Sequence, residues 1–293
     1  MAPFQSGILA PLPSAARFLF FTHKPDTDPR ECLTLLARQV DGNGIVAGLG
    51  QSLLLLCGAN IHGMREMPSL SGSSVEVPST PASLLLWLRG DDRGELVNQS
   101  RHLRSLLAPA FDLRDAVDCF TYRQNRDLSG YEDGTENPQD EAAIQAAIAQ
   151  IDKPGFTGSS FVAVQQWLHN LNHFESLPLK ERDNIFGRHV ADNEEFDSAP
   201  ESAHVKRTAQ ESFSPPAFMV RRSMPWNDAT RDGLVFVSFG HSLDAFETVL
   251  KRMVGLDDGI TDGLFRFSQP VTGAYFWCPP VRDGQLDLSL LKL

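Results

Sequence analysis

RFLFFTHKPDTDPRECLTLLARQV, residues 17–40, decides how the chain is read. Residues 17–23 are strand-like, whereas from Pro29 onward Leu33, Leu36 and Val40 recur as one face of a helix would. Outward from this pair, GIVAGLGQ (44–51) reads as a short strand. Beyond a Pro/Ser-rich linker, MPSLSGSSVEVPSTP (67–81), the theme returns with ASLLLWLRG (82–90) as strand, GELVNQSRHLRSLLAPA (94–110) as helix and DLRDAVDCFTYRQ (112–124) as strand. The order βαββαβ is that of the ferredoxin-like motif.

The second half repeats it less regularly. GSSFVAVQQWLHN (158–170) is a strand, LKERDNIFGRHV (179–190) a helix, and AFMVRRSMPW (217–226) and GLVFVSFGH (233–241) are strands. LDAFETVLKRMVG (243–255) sets Phe246, Val249, Leu250 and Met253 on one helical face, and FRFSQPVTGAYFWC (265–278) closes in strand-like residues. The expected fold is α+β: two tandem ferredoxin-like halves, 1–127 and 156–293, with antiparallel sheets, peripheral helices and a linking segment 128–155. A length of 293 residues agrees with two units at about 150 residues each.

Composition narrows the function. With 37 acidic against 26 basic residues the net charge is -11, a field that repels phosphate backbones and anionic lipid, so nucleic-acid binding is disfavoured. No stretch reaches the ~18 apolar residues of a membrane helix, and MAPFQSGILAPLPSAARF lacks a basic leader, so no membrane partner and a cytoplasmic location are expected. Cys32, Cys57, Cys119 and Cys278 form no CxxC and read as buried free thiols.

One polar stretch stands apart: LSGYEDGTENPQD, 128–140. Its last third reads as a helix start, with Asn137 as N-cap, Pro138 in first helical position and Asp140 and Glu141 in the first turn of PQDEAAIQAAIAQI. Gly134 suits a left-handed turn after Asp133, and Gly130 a close approach to something flat, so GYEDG is either a turn or a site. Of the eight histidines, His169 and His173 have the i,i+4 spacing of a metal pair but no neighbouring Glu and no third ligand, and are expected at a surface or strand edge.

GYEDG resembles the GxxDG motif of the dye-decolourising peroxidases, a haem family, and the similarity runs on in order through FVAVQQWLHNL, IFGRH, ESAHVKRT, MVRRSMPW, GLVFVSFG and FRFSQPVTGAYF, over most of 120–280. Compact length and Ser223 resemble the bacterial class B branch. The resemblance implies a peroxidase that uses hydrogen peroxide to oxidise dyes and phenolic or other aromatic donors through a ferryl (compound I) intermediate. Its cofactor would be haem b, iron protoporphyrin IX, in the C-terminal half. It also implies that His204 is the proximal iron ligand, Asp133 the distal carboxylate and Arg221 the distal arginine, with Ser223 two residues on upon the same strand face and Arg222 turned away. Asp262 would accept the Nδ1–H of the ligand imidazole. Gly134 and Thr135 would contact the cofactor, and Arg188 would serve either a haem propionate or a surface salt bridge.

These roles make chemical sense. A carboxylate on the far nitrogen raises the basicity of an iron-bound imidazole. An aspartate, ordinarily ionising near ~3.9, can move the peroxide proton, and a guanidinium steadies charge as the O–O bond breaks. The rival readings are a haem-binding or haem-handling protein with incidental peroxidase activity, and a non-haem interaction module. The resemblance further implies a homo-oligomer, dimeric or larger. The apolar tail LDLSLLKL reads as an element packed on its own domain, with a shell-targeting peptide as the alternative. Trp87, Trp167, Trp226, Trp277, Tyr122, Tyr131 and Tyr275 are the whole supply of redox aromatics, and no electron-hopping site is assigned among them.

Overall fold

The structure, a computed structural model, describes residues 3–71 and 75–293; residues 72–74 of the Pro/Ser-rich linker lie outside them. The first half runs β1 (Ala15–His23), α1 (Arg30–Ala37), β2 (Ile45–Leu49), α2 (Gln51–Leu56), a small hairpin β3 (Leu70–Ser71) and β4 (Glu76–Val77), β5 (Leu84–Gly90), α3 (Arg93–Leu107) and β6 (Phe111–Phe120). After α4 (Asp140–Ala147) come β7 (Ser160–His169), α5 (Leu171–Ser176), α6 (Leu179–Phe186), α7 (His204–Thr208), β8 (Val220–Arg221), β9 (Met224–Asn227), β10 (Asp232–Gly240) and α8 (Asp244–Met253). The chain then forms β11 (Ser268–Pro270), β12 (Ala274–Cys278), β13 (Val281–Arg282) and β14 (Gln285–Leu286).

The expected antiparallel sheets with outer helices are present, but they are not separate. In the first half the spatial order is β2-β5-β1-β6, and in the second β12-β7-β10-β9. Trp277 on β12 pairs with Leu49 on β2, and Cys119 on β6 pairs with Trp226 on β9. These two seams join the eight strands into one closed antiparallel barrel, in which the short β8 continues the β9 edge of β10 and β11 the β12 edge of β7.

Closure explains why the strands read as apolar on both faces. Phe18, Trp87, Val162, Val237 and Phe239 point into one cluster, the barrel lumen, where Phe18 stacks on Trp87 at 5.6 Å and Trp87 on Phe239 at 6.1 Å. Their alternating neighbours Leu19, Leu86 and Ala163 face outward against α1, α3 and α8. All four cysteines are buried and free, as expected.

Several boundaries differ from the sequence reading. AFMVRRSMPW is two strands, β8 and β9, and FRFSQPVTGAYFWC is split into β11 and β12. The helix in LKERDNIFGRHV stops at Phe186, where Gly187 adopts a left-handed C-cap. The linker carries the β3–β4 hairpin, α2 was not foreseen, and Leu286, Leu288 and Leu291 of the tail are buried on the domain itself. No helix of the described residues is long and apolar enough to cross a membrane.

Candidate active site

The segment between β6 and α4 begins the site. Asn125 pins it, its Nδ2 donating to the Asp133 carbonyl at 2.7 Å while its own carbonyl accepts from the Asp133 N–H at 3.1 Å. Gly134 follows with φ +75, the left-handed turn that its lack of a side chain permits. Asp133 is thereby presented at a cavity wall, and its carboxylate has no hydrogen bond or ion pair among the described residues.

Asn137 corrects the sequence reading. Helix α4 starts at Asp140 with Gln139 as its N-cap residue, so Asn137 caps nothing and Pro138 precedes the helix. Asp140 and Glu141 do fall in the first turn. Asn137 instead grips the backbone of Arg221 from both sides: its Oδ1 accepts from the Arg221 N–H at 2.8 Å and its Nδ2 donates to the Arg221 carbonyl at 3.0 Å. One side chain therefore fixes the arginine strand to the aspartate loop. Among the described residues the Arg221 guanidinium has no carboxylate partner, and its buried Nε makes no hydrogen bond.

His204 opens α7, with Nδ1 2.8 Å from Oδ2 of Asp262. Asp262 is 1% exposed, and its other oxygen accepts from the Leu264 N–H at 2.8 Å, so both oxygens are held. The next residue, Gly263, donates its N–H to the Ser202 carbonyl at 2.7 Å. A Cβ there would lie 2.9 Å from the Ile185 carbonyl and 3.1 Å from its Cα, both backbone atoms. Gly263→Ala is accordingly expected to cost about 1–3 kcal/mol by overpacking, read as a lowered urea midpoint at unchanged slope.

Asp133, Arg221 and His204 line one open cavity, whose remaining wall includes Leu234, Phe236, Phe246, Leu250 and Phe267. The cavity lies entirely among residues 127–268, against the outer face of β7 and β10. Its mouth continues past Gly134, Thr135, Glu136 and Arg188. Arg188 donates to Glu136 at 2.8 Å, pairs closely with Glu195 and donates to the Asn193 carbonyl at 2.8 Å. Ser223 is 3% exposed and is not among the lining residues; its Oγ accepts a long bond from the Val237 N–H at 3.5 Å. Arg222 does turn away, donating to the carbonyls of Ile8 and Leu9 at 3.1 and 2.8 Å.

His169 is neither at the surface nor in a metal cluster, and the described residues hold no group of three or more potential ligands. Its ring lies in the cavity wall, with Nδ1 2.6 Å from Ser268 Oγ and Nε2 3.1 Å from Asp127. Burial works to raise the Asp127 pKa, but the nearby His169 and the hydrogen bonds from His169 and Ser129 outweigh it, so the carboxyl stays below its ordinary range. Beyond Asn137, sequence reasoning also missed Gln165 and Trp167, whose side-chain N–H groups at the cavity wall have no partner among the described residues. Alternate positions 165, 167 and 169 on one strand were the available signal.

The cavity suits a flat, largely apolar cofactor that carries hydrogen-bond acceptors. Its walls are mostly aliphatic and aromatic, the buried atoms left without a partner among the described residues, at Gln165, Trp167 and Arg221, are all donors, and one imidazole has its far nitrogen already held. Comparisons with known proteins agree. The family model described as Dyp-type peroxidase, C-terminal, matches residues 124–283. A dye-decolorizing peroxidase of Rhodococcus erythropolis (strain PR4 / NBRC 100887) is 31% identical over 327 residues, spanning 97% of this chain and 96% of that protein. DyPB from Rhodococcus jostii RHA1 superposes with a TM-score of 0.86 at 26% identity, over 94% of this chain and 95% of that one. An arginine-to-leucine variant of DypB solved in complex with heme superposes equally, with a TM-score of 0.86 at 26% identity over 93% and 94% of the two chains.

Proposed function

The chain belongs to the Dyp-type, dye-decolorizing peroxidase family, and from that premise we propose how its own residues divide the work of a haem peroxidase. When bound, haem supplies the redox centre that takes two oxidising equivalents from hydrogen peroxide and passes them to a reductant one electron at a time. His204 holds that group through Nε2, because Nδ1 is committed to Asp262. Asp262 fixes the ring and its tautomer and strengthens the imidazole as a donor.

Asp133 takes the proton from the near oxygen of the peroxide and delivers it to the departing one. Arg221 places a fixed positive charge beside the oxygen on which negative charge grows. Its lack of a carboxylate partner supports this, since a paired guanidinium would already be neutralised. Gly134 and Thr135 frame the mouth, where Arg188 is already paired with Glu136 and Glu195, so the salt bridge, not a propionate, is the role its contacts support. Ser223 acts at one remove, through the backbone of β10 beside Arg221.

The repeated strand order supports two tandem ferredoxin-like units, 1–127 and 156–293, joined by 128–155, with haem in the second. Small phenolic and other aromatic donors, a homo-oligomeric cytoplasmic protein and no nucleic-acid partner complete the reading. One observation carries it: the coupled His204–Asp262 pair shares a cavity with an uncommitted aspartate and arginine. Peroxide added to the haem-loaded protein should shift the Soret band within seconds and restore it on adding a donor; a band that does not move would favour haem handling.

Dye oxidation should remain fast on the acid side of neutrality, because carboxylates as a class give up their proton at lower pH than imidazoles do. The fold tolerates that window. Asp127 and Asp183 are both lowered, so the stability they contribute is complete above the ordinary carboxylate value near ~3.9 and fades only as pH falls through their lower folded values. A kcat/KM profile that collapses just below neutrality would count against Asp133 as the base.

A further inference from the structure

Tyr131 sits between the cavity and a chain of hydrogen bonds that leads out of the protein. It is 3% exposed and lines the same wall as Asp133, Arg221 and His204. Its hydroxyl donates to Asp183 Oδ1 at 2.5 Å, and the other Asp183 oxygen lies 3.1 Å from Nδ1 of His189, whose side chain is 50% exposed. Its ring stacks on Phe186 at 3.9 Å and meets Phe174 edge-on at 6.1 Å, while His189 stacks on Phe196 at 4.7 Å. A buried tyrosine needs a partner for its hydroxyl, but any backbone carbonyl would serve that purpose. A carboxylate linked onward to a half-exposed imidazole does more.

We propose that Tyr131, Asp183 and His189 form a proton-coupled electron relay between the haem cavity and a donor at the His189–Phe196 surface; the proposal rests on the peroxidase reading above. A phenol that loses an electron becomes a strong acid, so a buried tyrosine is readily oxidised only when a base stands ready for its proton. In the forward step Tyr131 gives one electron to the peroxide-oxidised haem site and its phenolic proton to Asp183, leaving a neutral tyrosyl radical. The surface donor then returns one electron to Tyr131 while Asp183 returns the proton. Any proton the donor sheds leaves through His189 or directly to water. Two such cycles consume the two oxidising equivalents of one hydrogen peroxide.

Asp183 is prepared for this role. Burial tends to raise its pKa, but hydrogen bonds from Tyr131, His189 and the Val190 N–H prevail and keep it ionised, while burial and Asp183 push the Tyr131 phenol up. The other two tyrosines have no comparable connection between the cavity and the surface. Among the described residues Tyr122 packs under Arg123, and Tyr275 has Glu247 near it, a carboxylate already paired with Arg65; neither ring lines the cavity.

The test is electron paramagnetic resonance of haem-loaded protein frozen after peroxide addition without donor, grown with ordinary or ring-deuterated tyrosine. A radical whose hyperfine pattern collapses on deuteration is expected, present in Tyr122→Phe and Tyr275→Phe and absent in Tyr131→Phe. In Asp183→Asn its yield should fall at least about tenfold. Should Tyr131→Phe not fold, persistence of the signal in both other variants still assigns it, because the chain has only 3 tyrosines. Turnover of a bulky dye should fall about tenfold or more in Tyr131→Phe, with a small donor that enters the cavity little affected. A Soret shift with no deuterium-sensitive radical, or one unchanged in Tyr131→Phe, overturns the relay alone; no Soret shift in the wild type overturns the peroxidase assignment beneath it.

Discussion

Replacing Arg221 with alanine is expected to slow the peroxide-driven Soret shift by about a thousandfold, whereas Asp133→Ala should slow it by about a hundredfold. The two losses differ because the residues do different work. Arg221 supplies charge where charge develops, and water, which must reorient at a cost, replaces such a preorganised dipole poorly. Asp133 moves a proton, and a water molecule in an open cavity can relay one. The guanidinium has no ion pair among the described residues, and Asn137 fixes its backbone on both sides, so its removal strips positive charge without exposing a stranded carboxylate. Stopped-flow mixing at a single peroxide concentration, after matching haem content, measures both variants. Equal losses, or a larger one for Asp133, would reverse the order of importance.

Substituting glycine for His204 should remove peroxidase turnover almost entirely, and added imidazole should restore part of it. The side chain opens a five-residue helix rather than completing a hydrophobic core, and is 23% exposed, so its deletion leaves the fold standing. What disappears is the nitrogen offered to the cavity, together with the partner of one Asp262 oxygen. Exogenous imidazole can occupy the vacated volume and meet that oxygen, which is why rescue is expected here and not in Asp262→Ala. Loss of an orienting partner to a metal ligand typically costs about 10–100-fold in affinity or activity, so Asp262→Ala should fall between wild type and His204→Gly. Rescue separates a missing ligand from a damaged fold.

How far the sequence carried depends on the range of the interaction. β1, α1, α3 and α8 were legible because a period of two or of 3.6 is written in consecutive residues, as in Phe246, Val249, Leu250 and Met253. Barrel closure was not: the seam between Trp277 and Leu49 joins residues far apart in the chain, and strands buried on both faces carry no alternation to reveal which face is the lumen. For the site, motif order brought out His204, Asp133 and Arg221, and the structure sets all three around one cavity. Asp262 came only from the resemblance, and the structure brings its carboxylate to 2.8 Å from the imidazole.

Asn137 was misread for a physical reason. An Asn-Pro step before acidic residues is the pattern of a helix start, and local pattern carries no trace of a backbone 84 positions away that can satisfy the same amide. The Tyr131 relay was hidden likewise, since its partner Asp183 lies 52 residues on, in a helix whose own periodicity gives no reason for a buried acid.

Optical titration of the cofactor-free protein with hemin, run in parallel on wild type and His204→Gly, tests the central claim most directly. The account predicts saturation at one equivalent in the wild type, with the Soret band of a histidine-ligated ferric haem. It predicts that this band is missing from His204→Gly and returns when imidazole is added. An identical band at identical stoichiometry in both proteins would contradict it, because some other side chain would then hold the iron.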